Sequence, residues 1–120
     1  GVEMILGMTT DPQFGPMITL GFGGVYAEAL KDVITLMPPF NAETAKQALS
    51  ELKMQSLLFG YRGSEPADVE SYCKMASKFS LFALAMRNHI CEIDVNPIIL
   101  GTDICLGLDA LMVVHADNKN

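Results

Sequence analysis

The sequence predicts an α+β fold in which helices pack on one face of a mostly antiparallel sheet. Three observations lead to this prediction. Strand-like segments joined by a turn-rich loop open the 120-residue chain, helical periodicity occupies its middle, and strand-like segments return near its end. The predicted order is β-β-α-β-α-α-β-β, and the length fits one domain or one lobe of a larger domain.

The first two predicted strands form a hairpin. Residues 2–9, VEMILGMT, and residues 16–20, PMITL, have strand character. The loop between them, Thr10 to Pro16, contains the turn dipeptides Asp-Pro and Gly-Pro. The second strand continues into GFGG, Gly21 to Gly24, after which VYAEALKDV predicts a short helix and VITLMP another strand.

Two longer helices are predicted next. Asn41 is suited to cap a helix over about 42–54, and Ser64 a second helix over about 65–87. Glu70 and Lys74 are spaced as an i,i+4 ion pair on the wet side of the second helix. Its expected buried stripe is Val69, Tyr72, Cys73, Ala76, Phe79, Ala83 and Met86. Residues 90–95, 97–100 and 104–108 return to strand character, and the polar tail HADNKN is expected to fray.

Composition excludes several classes of function. The net charge of −6 argues against a sequence-independent nucleic-acid binder, which needs Lys and Arg to displace counterions. We expect no membrane segment, because no apolar run reaches 18 residues, and no signal peptide is visible. Three widely spaced cysteines without a CxxC motif favour a cytoplasmic chain with reduced thiols. Because the chain starts at Gly1 without an initiator Met, we expect a piece of a longer protein.

The stretch EIDVNP carries the strongest candidate site. Glu92, Asp94 and Asn96 alternate with apolar residues, so on a strand they project from one face. A divalent cation would relieve the repulsion of the carboxylates, because Mg²⁺ takes one or two carboxylate ligands together with phosphate oxygens. Asp109, after a later predicted strand, could supply another ligand. The alternative is the solvated face of a surface strand.

Two glycine-containing segments are candidates for phosphate binding. Gly21, Gly23 and Gly24 would let backbone N–H groups approach a phosphate at the start of the predicted short helix. Arg62, in GYRG, is suited to phosphate or carboxylate. A tight turn and a surface arginine explain these segments as well. His89 and His115 lie far apart without zinc-ligand spacing, and no catalytic role is assigned to them.

In their order along the chain, DPQFGP, GFGG, GYRG and EIDVNP resemble the ATP-grasp region of ADP-forming acyl-CoA synthetases and related proteins, including fusions to an acetyltransferase domain. The resemblance covers nearly all of residues 1–120 and matches the C-terminal lobe of the ATP-grasp fold. It implies phosphoryl transfer between a phosphohistidine and ADP, with ATP or ADP and Mg²⁺ as cofactors.

The resemblance also implies the roles of individual residues. Asp94, Asn96 and Asp109 match the metal–nucleotide positions of the family, and Asp94 is the residue on which catalysis would depend most. Acyl-CoA and a phosphohistidine domain would lie elsewhere in the same protein or in a partner subunit, and we expect an oligomer. The isolated chain is expected to be inactive, and the acyl group and nucleobase stay open.

Two positions depart from the family pattern. Thr10 and Leu111 stand where many members have arginine. The loss of two positive charges near a polyphosphate site keeps two alternatives open, a non-catalytic module that senses nucleotide or acyl-CoA within a fused acyltransferase, and a structural subdomain that mediates subunit contact.

Overall fold

The computed structural model describes residues 1–24, 31–60 and 65–116. In these ranges, six strands form one antiparallel sheet with the helices on one face, which confirms the predicted fold class. The strands are β1 (Val2–Asp11), β2 (Gly15–Phe22), β3 (Val33–Leu36), β4 (Ile90–Leu100), β5 (Cys105–Gly107) and β6 (Ala110–Val114). The helices are α1 (Ala42–Leu49), α2 (Ser56–Phe59) and α3 (Val69–Ala85).

β1 and β4 form the central pair of the sheet. The strand order is β3-β2-β1-β4-β5, and β6 pairs with β4 beside β5. Leu6 lies opposite Val95, but Met4 lies opposite Ile98, so β4 contains one extra residue in a bulge at Asn96 and Pro97. The bulge keeps apolar side chains of β4 directed at the helices on both sides of Asn96.

The core lies between the sheet and the helical layer. Alternate residues along most of the central strands are buried there, as the two-residue period of a strand requires. They pack against the predicted stripe of α3, in which Phe79 and Met86 are only partly buried. The buried strand residues are Met4, Leu6, Met8, Ile18, Leu20, Phe22, Ile90, Ile93, Ile98 and Leu100.

The first long helix is shorter than predicted. Asn41 caps it as expected, since its side chain accepts from the Thr44 N–H at 2.8 Å. The helix ends at Leu49 rather than near residue 54, because the N–H groups of Glu51 and Leu52 bond three residues back instead of four. Beyond this turn, the buried carboxylate of Asp32 accepts the N–H groups of Lys53 and Met54, each at 2.8 Å. These N–H groups are therefore not available to continue the helix.

The second long helix begins at Val69, four residues later than predicted. Its cap is Asp68, whose carboxylate accepts from the Ser71 N–H at 3.1 Å. The Asp68 N–H donates to Gly101 O at 2.7 Å, which holds the residues before the helix against the end of β4. The predicted pair of Glu70 and Lys74 is confirmed at 3.5 Å on the exposed side.

The C-terminal strands differ most from the prediction. Residues 90–95 and 97–100 form one continuous strand, β4, which passes through Pro97. β6 was not predicted, because ALMVV shows no alternation of polar and apolar residues. Every residue of β6 is exposed, Leu111 by 65% and Val114 by 64%. In the described part of the chain, no strand pairs with the outer edge of β6.

Some predictions fall outside the described residues. These are most of the predicted helix over 25–33, the cap at Ser64 and the polar tail beyond Ala116. At the end of the first of these segments, Lys31 and Asp32 are not helical and Val33 begins β3. None of the described helices has the length and apolar character needed to cross a membrane.

Replacing Asp32 tests the contact that holds the segment after α1. Asp32→Ala should lower the free energy of unfolding by about 2–4 kcal/mol, because two main-chain N–H groups lose a charged acceptor in a buried position. Urea denaturation monitored by circular dichroism measures the change. Asp103→Ala is the control, because it removes an exposed aspartate and should cost about 0.5 kcal/mol or less. Equal effects of the two substitutions would contradict this account.

Candidate functional site

The candidate site lies on the outer face, which we define as the sheet surface away from the helices that carries Glu3, Gly7, Glu92, Asp94 and Asn96. The three polar residues of β4 are exposed, and Ile93 between them is 3% exposed. The alternation of polar and apolar residues in EIDVNP therefore gives β4 one solvent-exposed face and one buried face. The bulge leaves Asn96 on the same side as Asp94.

The pairing of β4 with β6 brings Asp109 to the same place. Val95 lies opposite Ala110, Asp94 lies opposite Leu111, and the Asn96 N–H donates to Asp109 O at 3.2 Å. Residues directly opposite each other in an antiparallel pair share a face, with Cβ atoms roughly 5 Å apart. The register therefore places Asp94, Asn96 and Asp109 together on the outer face.

The carboxylate of Asp109 is oriented by its own backbone. One of its oxygens, Oδ1, accepts from the Ala110 N–H at 2.9 Å. Asp109 and Asp94 are diagonal neighbours across the strand pair, for which Cβ atoms lie roughly 7–8 Å apart. One small cation between these side chains could thus be reached by both carboxylates.

The end of β2 approaches Asn96 from the other side. The Gly23 N–H donates to Glu3 O at 2.9 Å, and a Cβ atom built on Gly23 would lie 3.4 Å from Asn96 Oδ1. Gly24 has a φ of +61°, and a Cβ atom there would lie 2.0 Å from a carboxylate oxygen of Glu3. Glycine is therefore required at Gly24 and allows a close approach at Gly23.

Sequence reasoning missed Glu3. Its carboxylate lies against Gly24, at the end of the glycine-rich segment that runs beside Asn96. The signal was present, because Glu3 interrupts the apolar residues of β1 in the same way that Asp94 interrupts those of β4. It was not recognised because Glu3, Gly24 and Asn96 become neighbours only when β1, β2 and β4 are assembled in the sheet.

The N–H groups at the start of GFGG serve the fold. Those of Gly21, Phe22 and Gly23 donate to Tyr72 Oη, Asp32 O and Glu3 O, at 3.3, 3.1 and 2.9 Å. A phosphate that bound through the N–H groups of Gly21 or Gly23 would compete with these internal acceptors. The close approach that glycine allows at Gly23 and Gly24 is made by Asn96, Ile5 and Glu3 of the chain itself.

The other candidate residues lie elsewhere. Arg62, with its neighbours Tyr61 and Gly63 in GYRG, is outside the described residues. Thr10 donates through its hydroxyl to Cys91 O at 2.8 Å and so ties the hairpin to β4. Leu111 lies opposite Asp94, so an apolar side chain borders the site. His89 and His115 are joined by a backbone hydrogen bond of 2.9 Å at the end of β6 that is remote from Asp109.

The charges of the site fit a divalent cation bound together with an anionic ligand. Among the described residues, no Lys or Arg forms an ion pair with Asp94 or Asp109. The same residues contain no cluster of three or more His, Cys, Asp or Glu side chains suited to a metal. Two carboxylates and one amide oxygen are nevertheless a ligand set suited to Mg²⁺, which keeps several positions for water and phosphate oxygens.

The family is decided by the match of the chain to a known domain. Residues 1–114 match the model of an ATP-grasp domain. The chain belongs to the ATP-grasp domain family.

Its relatives include ligases that form acyl-CoA. The chain is 39% identical over 114 residues to the beta subunit of ADP-forming acetate–CoA ligase I from Pyrococcus furiosus, covering 95% of the chain and 49% of that subunit. It is 42% identical over 118 residues to a trans-feruloyl-CoA synthase from an unknown prokaryotic organism, covering 96% of the chain and 16% of that protein. This ATP-grasp chain thus spans about half the length of the acetate–CoA ligase subunit.

A solved relative has the same fold. The dinucleotide-forming acetyl-coenzyme A synthetase 1 of Candidatus Korarchaeum cryptofilum superposes with a TM-score of 0.88 at 34% identity, covering 96% of this chain and 54% of that one. That structure contains coenzyme A and Mg-AMPPCP, with its phosphohistidine segment pointing towards the nucleotide-binding site. The ATP-grasp assignment therefore rests on sequence and on three-dimensional structure.

Substitution of Gly23 tests the proximity of the glycine-rich segment to Asn96. Gly23→Ala should lower the free energy of unfolding by about 1–3 kcal/mol through overpacking, because its Cβ atom would lie 2.8 Å from Ile5 Cγ2. It should also shift the side-chain amide resonances of Asn96. Urea denaturation and NMR spectroscopy measure the two effects.

Gly7→Ala is the matched control on the same face. A Cβ atom on Gly7 would lie 3.6 Å from its nearest neighbour, Ile93 O, which is an ordinary contact. We expect a change of about 0.5 kcal/mol or less. If Gly23→Ala is equally harmless and leaves the Asn96 amide unshifted, the two segments are not in contact as described.

Proposed function

We propose that the outer face binds a Mg²⁺–nucleotide in an ADP-forming acyl-CoA ligase, where a phosphoryl group passes between a phosphohistidine and ADP. The observation that carries the proposal is the convergence of Asp94, Asn96 and Asp109 beside Gly23 and Gly24, in a chain of the ATP-grasp family. The ligase names of the relatives support the reaction class.

Each residue has a distinct role in this proposal. Asp94 and Asp109 supply negatively charged oxygens, and Asn96 supplies a neutral amide oxygen, so the ligands do not carry excess charge. Mg²⁺ would neutralise charge on the phosphate oxygens and fix their position. Phosphoryl transfer needs this positioning more than covalent help from the protein. Gly23 lets the end of β2 lie against Asn96, since a Cβ atom there would be 3.4 Å from Asn96 Oδ1.

The remaining parts of the reaction belong to other segments of the full-length protein. We propose that the acyl-CoA site and the phosphohistidine lie outside these 120 residues, in the same polypeptide or in a partner subunit. The Korarchaeum relative supports this division, because its phosphohistidine segment points at the nucleotide-binding site. The acyl group is not assigned, since the relatives act on acetate and on a feruloyl group.

Asp94→Asn in the full-length protein tests the role of the metal ligand. The substitution keeps the shape of the side chain and removes one charge from the site. If Asp94 holds Mg²⁺ against the transferring phosphate, the rate of phosphohistidine formation from ATP should fall about 100-fold or more, since the lost interaction acts mainly in the transition state. The Mg²⁺ midpoint should rise, and the free energy of unfolding should change little.

Glu92→Gln is the matched control for this experiment. It removes the same charge from the same face of β4, but Glu92 lies on the side of Asp94 away from Asn96 and Asp109, about 7 Å from Asp94 and about 13 Å from Asn96 along the strand. Its rate and Mg²⁺ midpoint should stay within about twofold of wild type. Unchanged rates and midpoints for Asp94→Asn as well would show that EIDVNP is only the wet face of a strand.

The isolated 120-residue chain should bind ATP weakly or not at all. A nucleotide site normally buries most of its ligand. Here Asp94, Asn96 and Asp109 are all exposed on an open sheet face. Calorimetric titration with Mg-ATP should give no saturation in the micromolar range. A micromolar dissociation constant for this chain alone would mean that the outer face is a sufficient site by itself.

A further inference from the structure

Tyr72 connects the helical layer to the glycine-rich segment through a buried hydroxyl. The side chain belongs to α3 and is 0% exposed. Its hydroxyl accepts a hydrogen bond from the Gly21 N–H at 3.3 Å and donates one to Ile5 O. Both partners are main-chain groups of the sheet, one in β2 and one in β1. A single side chain from the helices thus bridges two adjacent strands.

The Tyr72 hydroxyl lies at a position where β1 and β2 would otherwise form a direct main-chain hydrogen bond. Ile5 lies opposite Gly21, and two residues further along β2 the Gly23 N–H donates to Glu3 O. Hydrogen-bonded pairs recur at every second residue of an antiparallel ladder, so Ile5 and Gly21 form the adjacent pair of this type. The Tyr72 hydroxyl takes part in that pair. It therefore influences the separation of β1 and β2 next to Gly23.

The Tyr72 hydroxyl is protonated at physiological pH, as the hydroxyl of an exposed tyrosine is, and burial reinforces this state. Burial raises the pKa of Tyr72 far above its ordinary value, and the hydrogen bond from the Gly21 N–H only partly opposes this effect. The hydroxyl stays protonated at physiological pH. It can therefore donate to Ile5 O and accept from Gly21 at the same time.

The contacts of Gly21 and Gly23 connect the Tyr72 hydroxyl to the outer face of the sheet. Gly21 is also packed tightly against β3, since a Cβ atom on it would lie 2.5 Å from Asp32 O. Two residues later, Gly23 borders Asn96 Oδ1. Any sideways movement of Gly21 would therefore change the space between Gly23 and Asn96.

We propose that Tyr72 is a positioning residue of the nucleotide site, which holds the segment Gly21–Gly24 at the correct distance from Asn96. The proposal rests on the proposed function for its effect on nucleotide, but its structural part does not. Tyr72 touches no ligand and acts through the main chain of Gly21. Its loss should alter nucleotide binding more than the chemical step.

The test compares Tyr72→Phe with Ser80→Ala in the full-length protein. Ser80 is also a fully buried residue of α3, and its hydroxyl accepts from the Phe40 N–H at 3.3 Å, away from GFGG. Each substitution thus removes one buried hydroxyl that bonds to main chain. For Tyr72→Phe we expect the KM for ATP to rise about fivefold or more while kcat stays within about twofold. For Ser80→Ala we expect no change in KM beyond about twofold.

A second measurement does not depend on nucleotide. Amide hydrogen exchange of Gly21 and Gly23 should be faster in Tyr72→Phe than in wild type and unchanged in Ser80→Ala, because only the first substitution loosens this part of the ladder. Equal exchange at these amides in both variants would overturn the proposal. So would an unchanged KM in Tyr72→Phe when wild type turns over ATP.

The two measurements separate failure of this inference from failure of the proposed function. If wild type binds no nucleotide, the proposed function is wrong, and the exchange rates alone decide whether Tyr72 positions the segment. If wild type binds nucleotide and Tyr72→Phe and Ser80→Ala raise the KM equally, Tyr72 is a core residue without a specific positioning role.

Discussion

The pairing of β1 with β4 is the contact on which the rest of the structure depends. It joins residues 2–8 to residues 93–100; β2, β5 and β6 each pair with one of these two strands, and β3 pairs with β2. β2 carries GFGG to one side of Asn96, and the residue that precedes β6, Asp109, lies on the other side. A pairing of such large sequence separation must form against considerable chain entropy, so the site exists only when the whole sheet has formed.

The bulge in β4 lets this strand expose Asp94 and Asn96 on the outer face and still bury Ile98 and Leu100 in the core. Without it, the alternation that buries Ile93 would turn Ile98 and Leu100 towards water. The extra residue at Asn96 and Pro97 restores the apolar side chains to the core. Bulges are frequent beside active sites because they direct a side chain without disturbing the sheet. Here the irregularity falls at the amide that GFGG approaches.

Local sequence patterns predicted the structural features that depend on residues close together in the chain. They failed where residues far apart in the chain determine the structure. The alternation in EIDVNP, the cap at Asn41 and the pair of Glu70 and Lys74 are local and were predicted correctly. The end of α1 was wrong because the chain turns after Leu49, and Asp32, more than twenty residues away, holds the N–H groups of Lys53 and Met54 that a longer helix would use. β6 was missed because both of its faces are exposed, so the sequence shows no period. Asp109 was chosen with the help of the family resemblance, and its ligand role stays a prediction.

The exposed edge strand β6 has a consequence for handling the isolated chain. Five consecutive apolar residues, Ala110 to Val114, present the main-chain groups of their outer edge to solvent and carry no charge that would repel a neighbour. Such a strand is a template for the addition of another strand, and it has the composition of segments that assemble into cross-β fibrils. Addition of one β6 edge to another is therefore a route by which concentrated samples of these 120 residues could become turbid without unfolding.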